Sequence, residues 1–228
     1  MATEPKYPRE AYRGFRAHWP DWFIGAPTAA DQERAVRLLG LRPGDCVADV
    51  ACGSGYNLRR LVRAVGREGL VIAVEDSPHL LARAEDKVRR GGWTNVRLLR
   101  ELDPMQFDRR PVDGIIVSYN PPILLQRPDL LEAAWRLLKP GGRLALVAGR
   151  CTTFVGRAVG PFVKLGLQLV GHPRDWHYWT VHEPWEHLEE LSGGKVSVKT
   201  RWGFQYLLWA EKTAGRLAPP SEQPAAAP

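Results

Sequence analysis

Short apolar runs and amphipathic stretches alternate along most of this chain, and their order predicts its architecture. Val47–Val50, Leu70–Val74, Asn95–Leu99, Val112–Ser118 and Arg143–Ala148 read as strands bounded by turn residues. Between them lie helical patterns. Thr28 and Asp31 form a capping box ahead of an apolar side made of Ala35, Val36, Leu38 and Leu39. Ser77 and Pro78 supply an N-cap and a first-turn proline for a helix that Gly91 and Gly92 end, and a further helix runs from Pro128 to Leu138. Pro140–Gly142 is a turn into the fifth strand. Strands alternating with helices predict an α/β, doubly wound, mostly parallel sheet. Near the C-terminus the pattern changes: Lys195–Thr200 and Phe204–Ala210 are strands separated by Gly203 with no helix between them.

One stretch carries chemistry. Val47 to Leu58 is an apolar run that ends in Asp49, passes through Ala51, Cys52, Gly53, Ser54 and Gly55, and opens a helix after Asn57. Glycine there lets a backbone approach a ligand closely and supplies positive φ. The next apolar run ends in Glu75 and Asp76, at about the ~20-residue distance where a βαβ unit places a carboxylate for ribose hydroxyls. The dinucleotide fingerprint needs a third glycine, and that position is Leu58. No G-x-x-x-x-G-K-[ST] loop occurs either. A carboxylate before the turn repels a phosphate and favours a cationic nucleoside. S-adenosylmethionine, with its ammonium and sulfonium, meets that requirement and NAD does not.

Three ordered segments carry a resemblance: Asp49 to Leu58, Val74 to Pro78, and Leu138 to Leu144. Together they resemble the class I S-adenosylmethionine-dependent methyltransferases over roughly Arg34 to Ala148. The resemblance implies a Rossmann-like seven-stranded sheet with an antiparallel C-terminal hairpin. It also implies that Asp49 shapes the turn, that the backbone around Ala51, Gly53, Ser54 and Gly55 receives the methionine part beside Asn57, and that Glu75 accepts the ribose hydroxyls. Asp76 and Ser77 would border the adenine, Glu101 would accept from its amine beside Leu102, and Ser118 and Tyr119 would line the methyl side. Arg100 stands where that family often has glycine.

Composition adds bounds rather than a function. The 228 residues suit one core, with 44% apolar and 25% charged residues. Cys46, Cys52 and Cys151 make no disulfide framework, the N-terminus is polar, and no run reaches the ~18 apolar residues of a membrane span, so a reducing, cytoplasmic setting is expected. A net charge of +7 attracts polyanions, nucleic acid and anionic lipid alike, although solvated helix faces account for much of it.

The methyl acceptor must be read from outside the turn. Residues 1–27 form a basic, aromatic cap segment, 28–211 the methyltransferase domain, 151–190 an insertion that acts as a lid, and 212–228 a disordered tail. Within the insertion, apolar residues at 154, 155, 158, 159, 162, 165, 169 and 170 recur at helical spacing, Arg157 and Lys164 take the other side, and Pro161 kinks or splits the segment. This face either enters the core or meets lipid, as a peripheral contact with an anionic inner membrane face. Ser118 to Pro122 approaches the Asn-Pro-Pro signature of exocyclic-amine methylases but has Ile123 where those carry an aromatic. His172, His177, His182 and His187 recur at five-residue steps, which do not converge on a metal, so no metal is expected. Tyr119 and His182 are instead the candidate catalytic groups, a histidine suiting general-base work.

Gly92 to Val96, Asn57, and Pro184 to Leu188 resemble bacterial phospholipid N-methyltransferases and related small-molecule methyltransferases. That implies an amine of a phosphatidylethanolamine-type lipid as acceptor. A natural-product N- or O-acceptor, a nucleic-acid or protein acceptor on the basic surface, and a catalytically silent cofactor-binding protein are the alternatives. Nucleic acid is the less favoured partner, and the sequence sets no oligomeric state.

Overall fold

A computed structural model of the chain describes residues 26–100, 111–118, 128–149, 158, 161–162, 165, 168, 185–201 and 205–213. The elements are α1 (Ala26–Leu38), β1 (Cys46–Val50), α2 (Leu58–Val65), β2 (Leu70–Val74), α3 (Pro78–Gly91), β3 (Val96–Leu99) and β4 (Val112–Ser118), followed by α4 (Pro128–Leu137), β5 (Leu138–Gly149), α5 (Trp185–Ser192), β6 (Val196–Arg201) and β7 (Gln205–Glu211). The seven strands form one sheet in the order β3-β2-β1-β4-β5-β7-β6. Pairs among β1 to β5 are parallel, whereas β7 runs antiparallel to both β5 and β6. The predicted Rossmann-like sheet with its C-terminal hairpin is therefore the observed one.

Strand alternation divides the core in two. Val47, Val71, Ala73, Ile116 and Val147 pack with Ala35, Val36, Leu39, Leu58, Leu61 and Ala84, so α1, α2 and α3 cover one face. Ala48, Val50, Ile72, Ile115 and Leu146 pack with Leu131, Trp135 and Leu188, so α4 and α5 cover the other. Strand order reverses between β1 and β4, and a doubly wound sheet opens its crevice at the carboxyl ends of such a pair.

Several local readings change. α1 already includes Ala26 and Pro27, so Thr28 lies inside the helix instead of capping it, and its hydroxyl accepts from Gln32 Nε2 at 2.8 Å. The capping box was misplaced because the helix already runs through the two residues before Thr28. Ser77 does cap α3, its Oγ accepting from the Leu80 N–H at 3.5 Å, and Gly92 ends it at φ 61°. The expected turn at Pro140–Gly142 lies inside β5, where the register jumps from Val112↔Leu138 to Gly114↔Arg143. Gly141 takes φ +80°, and a Cβ on Gly142 would lie 2.9 Å from the Asp113 and Lys139 carbonyls, so this pair of glycines makes a bulge.

Lys212, at the expected start of the tail, is firmly held: its Nζ donates to the carbonyls of Trp135, Arg136 and Leu138 at 2.7, 3.0 and 2.7 Å and closes the end of α4. Desolvation there lowers its pKa from the ordinary value. Residues 1–25 and 214–228, which hold most of the expected cap segment and tail, lie outside the described residues.

The insertion is described at five positions between 158 and 168, all helical. Phe162 is 76% and Leu165 56% exposed, so these two members of the apolar stripe face outward. Trp185 to Glu190 fall inside the expected insertion but form α5, whose Leu188 is buried in the core beneath the sheet. No helix among the described residues is long and apolar enough to cross a membrane.

Candidate cofactor site

The turn between β1 and α2 is wired to the end of β2. The Cys52 N–H donates to the Val74 carbonyl at 2.9 Å, which extends the β1–β2 pairing one step beyond the strands. Glu75 then closes the junction: Oε2 accepts from the Gly53 N–H at 2.8 Å and Oε1 from the Ser77 N–H at 2.9 Å. Gly55 turns the chain at φ +76°, and a Cβ there would come within 2.6 Å of Leu58 Cδ1 and 3.2 Å of the Ala84 methyl. Gly55→Ala is expected to destabilise the fold by about 2–4 kcal/mol, combining left-handed strain with overpacking. An unchanged urea midpoint for that variant would contradict this packing. At Gly53 the surroundings differ, because a Cβ would meet nothing within 4 Å. That glycine leaves open space beside the turn, where a ligand's backbone contacts belong.

Ala51 is the one described non-glycine residue with positive φ, at 56°. It ends β1 in a left-handed conformation that costs an L-residue about 1–2 kcal/mol, the kind of strain that turns at binding sites retain. Asn57, at the far end of the turn, crosses to β4: its Nδ2 donates to Ser118 Oγ at 2.9 Å. This bond spans the switch between β1 and β4 and joins two of the residues expected to line the methyl side and the methionine part.

The electrostatics identify the ligand's charge. Asp49 is 1% exposed, and neither of its carboxylate oxygens has a hydrogen-bond partner among the described residues; Asn57 Oδ1 is likewise buried and unpartnered among them. Burial, with a smaller contribution from the Glu75 carboxylate, pushes Asp49 up to about 8. Burial also raises Glu75, to about 7, against the pull of the Ser77 and Gly53 N–H groups. Cys52 is held well above the ordinary thiol value by burial, then by Asp49 and Glu75, so it stays neutral and acts as a small hydrophobe. The Asp49 carboxyl and the Asn57 amide oxygen are buried acceptors without donors among the described residues, and Glu75, whose two oxygens each accept one N–H, has lone pairs to spare. A ligand carrying an ammonium at one end and vicinal hydroxyls at the other fits them, and an anionic one does not.

Asp49, Ala51, Gly53, Ser54, Gly55, Asn57, Glu75, Asp76, Ser77 and Ser118 are thus gathered along the turn and the adjoining strand ends. Glu101, Leu102, Tyr119 and His182 lie outside the described residues. Sequence reasoning missed Lys87, whose Nζ donates to Ser54 Oγ at 3.2 Å. No sequence signal marked it: Lys87 reads as a solvated helix-face cation until α3 packs against the glycine turn through Ala84. Among the described residues no group of three or more His, Cys, Asp or Glu could hold a metal ion, and of the spaced histidines only His187 is described, on α5.

Residues 47–142 match the family model described as a methyltransferase domain. The ubiquinone/menaquinone biosynthesis C-methyltransferase UbiE of Azotobacter vinelandii is 30% identical over 196 residues, 80% of this chain and 75% of that protein. A protein-L-isoaspartate O-methyltransferase from Methanococcus aeolicus is 32% identical over 114 residues, 49% of each chain, so the match spans only about half of that relative. In fold, the chain superposes on an S-adenosylmethionine-dependent methyltransferase from Aquifex aeolicus with a TM-score of 0.58 at 21% identity, covering 87% of this chain and 98% of that one. Sheet order, the wired turn and these likenesses define one class, and the chain belongs to the class I S-adenosylmethionine-dependent methyltransferases. Its cofactor is S-adenosylmethionine.

Proposed function

We propose that this protein transfers a methyl group from S-adenosylmethionine to a lipid-soluble acceptor met at a membrane surface, with the amine of a phosphatidylethanolamine-type headgroup as nucleophile. The observation that carries the donor half is the buried Asp49 carboxylate beside the glycine turn, without a hydrogen-bond partner among the described residues. The acceptor half is supported by Phe162 and Leu165, which turn apolar surface outward on a helical segment whose sequence also carries Arg157 and Lys164.

When bound, the cofactor supplies an electrophilic methyl on its sulfonium. The protein's work is alignment and exclusion of water. Asp49 and Asn57 Oδ1 would accept from the ammonium, the turn around Gly53 and Gly55 would offer backbone, and Glu75 would accept the ribose hydroxyls between Asp76 and Ser77. Glu101 and Leu102 would complete the adenine end, and Ser118, held by Asn57, would line the methyl side with Tyr119. An ammonium headgroup must lose its proton before it can attack, and His182 is the proposed base.

A quinone-type ring is the second reading, favoured by the likeness to UbiE across 80% of the chain. Methyl-labelled cofactor, offered with phosphatidylethanolamine vesicles, with vesicles carrying a prenylated naphthoquinol, and with total RNA, separates the cases. Label in the amine lipid is expected. Label in the quinol would transfer the assignment to the second reading, and label in RNA or in none of the three would overturn both. Replacing Phe162 and Leu165 together by serine is expected to lower turnover on vesicles at least ~10-fold, since each loses on the order of 2 kcal/mol of apolar burial in lipid. Cofactor affinity should stay unchanged. Equal vesicle turnover in that variant would remove the helix from acceptor capture.

A further inference from the structure

The face covered by α1, α2 and α3 contains cations of two kinds. Most are neutralised: Arg34 faces Asp31, Arg37 and Arg60 share Glu33, and Arg89 and Arg90 share Asp86. Arg59, Arg63 and Arg67 are exposed and have no ion pair or hydrogen bond from their guanidinium groups among the described residues. α2, the middle element of the face, has no carboxylate in its sequence, and Glu68, just beyond, is the acidic residue nearest this series.

Helix stability does not explain them. Arg59 lies in the first turn of α2, where the helix dipole disfavours a cation, and that turn has no acidic residue to compensate. Arg59 and Arg63 are one turn apart on one side of the helix, and Arg67 follows the Gly66 cap. α2 begins at the cofactor turn, so the series starts at the rim of the site and runs away from it along the flank.

We infer that Arg59, Arg63 and Arg67 form a docking surface for the phosphate headgroups of an anionic bilayer, placing the cofactor turn at the edge of the contact. This deepens the lipid-acceptor reading and rests on it for the choice of occupant. Guanidinium groups suit phosphate through paired N–H donors. Exposed apolar surface separates bilayer from nucleic acid: Phe162 and Leu165 are outward-facing on a helical segment, a feature that a hydrocarbon layer takes up and a phosphate backbone does not. The three guanidiniums add about 1 kcal/mol each near an anionic headgroup layer.

The test uses the full chain with Arg59, Arg63 and Arg67 all replaced by glutamine, exposed changes that leave the core untouched. Co-sedimentation is measured on vesicles of phosphatidylcholine alone and of phosphatidylcholine mixed with phosphatidylglycerol, neither containing the amine acceptor. Wild type is expected to prefer the anionic vesicles, and the triple variant to partition about 100-fold less onto them. Turnover on detergent-dispersed phosphatidylethanolamine should be unchanged. Equal partitioning of variant and wild type would overturn the surface, as would loss of single-stranded RNA binding with vesicle binding intact. If neither protein methylates any lipid while the vesicle difference persists, the acceptor reading fails and the surface stands.

Discussion

Asp49→Asn is expected to weaken S-adenosylmethionine binding at least ~30-fold, the loss of a charge-assisted contact worth about 2–3 kcal/mol, and to stabilise the cofactor-free protein at pH 8. The second half follows from the burial of an unpaired carboxyl. Asp49 moves from an ordinary 3.8 to about 8 on folding, and Glu75 from 4.5 to about 7. Both therefore bind protons more tightly in the folded chain. The stability this contributes is complete below the unfolded values and is lost as pH rises through 7 and 8. An asparagine has no proton to lose, so the variant's melting temperature should fall less between pH 5 and 8.5 than that of wild type.

A bound ammonium reverses the balance. It compensates the ionised Asp49 carboxylate, so cofactor binding should tighten with rising pH across that window and should release protons near pH 7. Titration calorimetry in buffers of differing ionisation enthalpy counts those protons, and Asp49→Asn should release fewer. An unchanged affinity and proton count would show that Asp49 does not contact the cofactor's cationic end.

Where the sequence was readable, the reason was local chemistry or periodicity. Ser77–Pro78 capped α3 because side-chain capping and a fixed φ are properties of those two residues alone. The apolar run from Val47 ending in Asp49 placed that carboxylate just before the turn, and the glycines marked the cofactor end. The antiparallel hairpin was legible because two strand patterns followed one another with no room for a crossover helix. What stayed hidden depended on distant partners. The Gly141–Gly142 bulge exists because β4 and β5 share a register that slips between Val112 and Gly114. Lys212 reads as the start of a polar tail until the end of α4 brings it three carbonyls. The left-handed Ala51 carries no sequence mark, since alanine is ordinarily poor at positive φ. The missing third glycine was visible as Leu58, but its use was not: Leu58 fills the space above Gly55 and against α3.

Glu75→Ala should abolish tight cofactor binding, and the geometry adds a cost in stability that a purely ligand-binding role would not carry. The carboxylate is the shared acceptor for the Gly53 and Ser77 N–H groups, so its loss leaves two backbone donors unpaired at a junction where Glu75 and Ser77 are both buried. Each buried orphan donor costs about 1–3 kcal/mol, partly offset by relief of the Asp49–Glu75 repulsion and of the desolvated charge. A net loss of about 2 kcal/mol is expected at pH 6, where Glu75 is largely protonated in the folded chain and repulsion contributes least. Glu75→Gln is the control: its amide oxygen can accept from only one of the two N–H groups, and it cannot take both ribose hydroxyls as a carboxylate does. It should melt between wild type and Glu75→Ala and bind cofactor at least ~10-fold more weakly than wild type, one charge-assisted hydrogen bond being worth about 1.5–3 kcal/mol. If both variants melt with wild type while affinity falls, Glu75 serves the ligand without holding the turn. If affinity is also unchanged in calorimetry, the carboxylate belongs to neither.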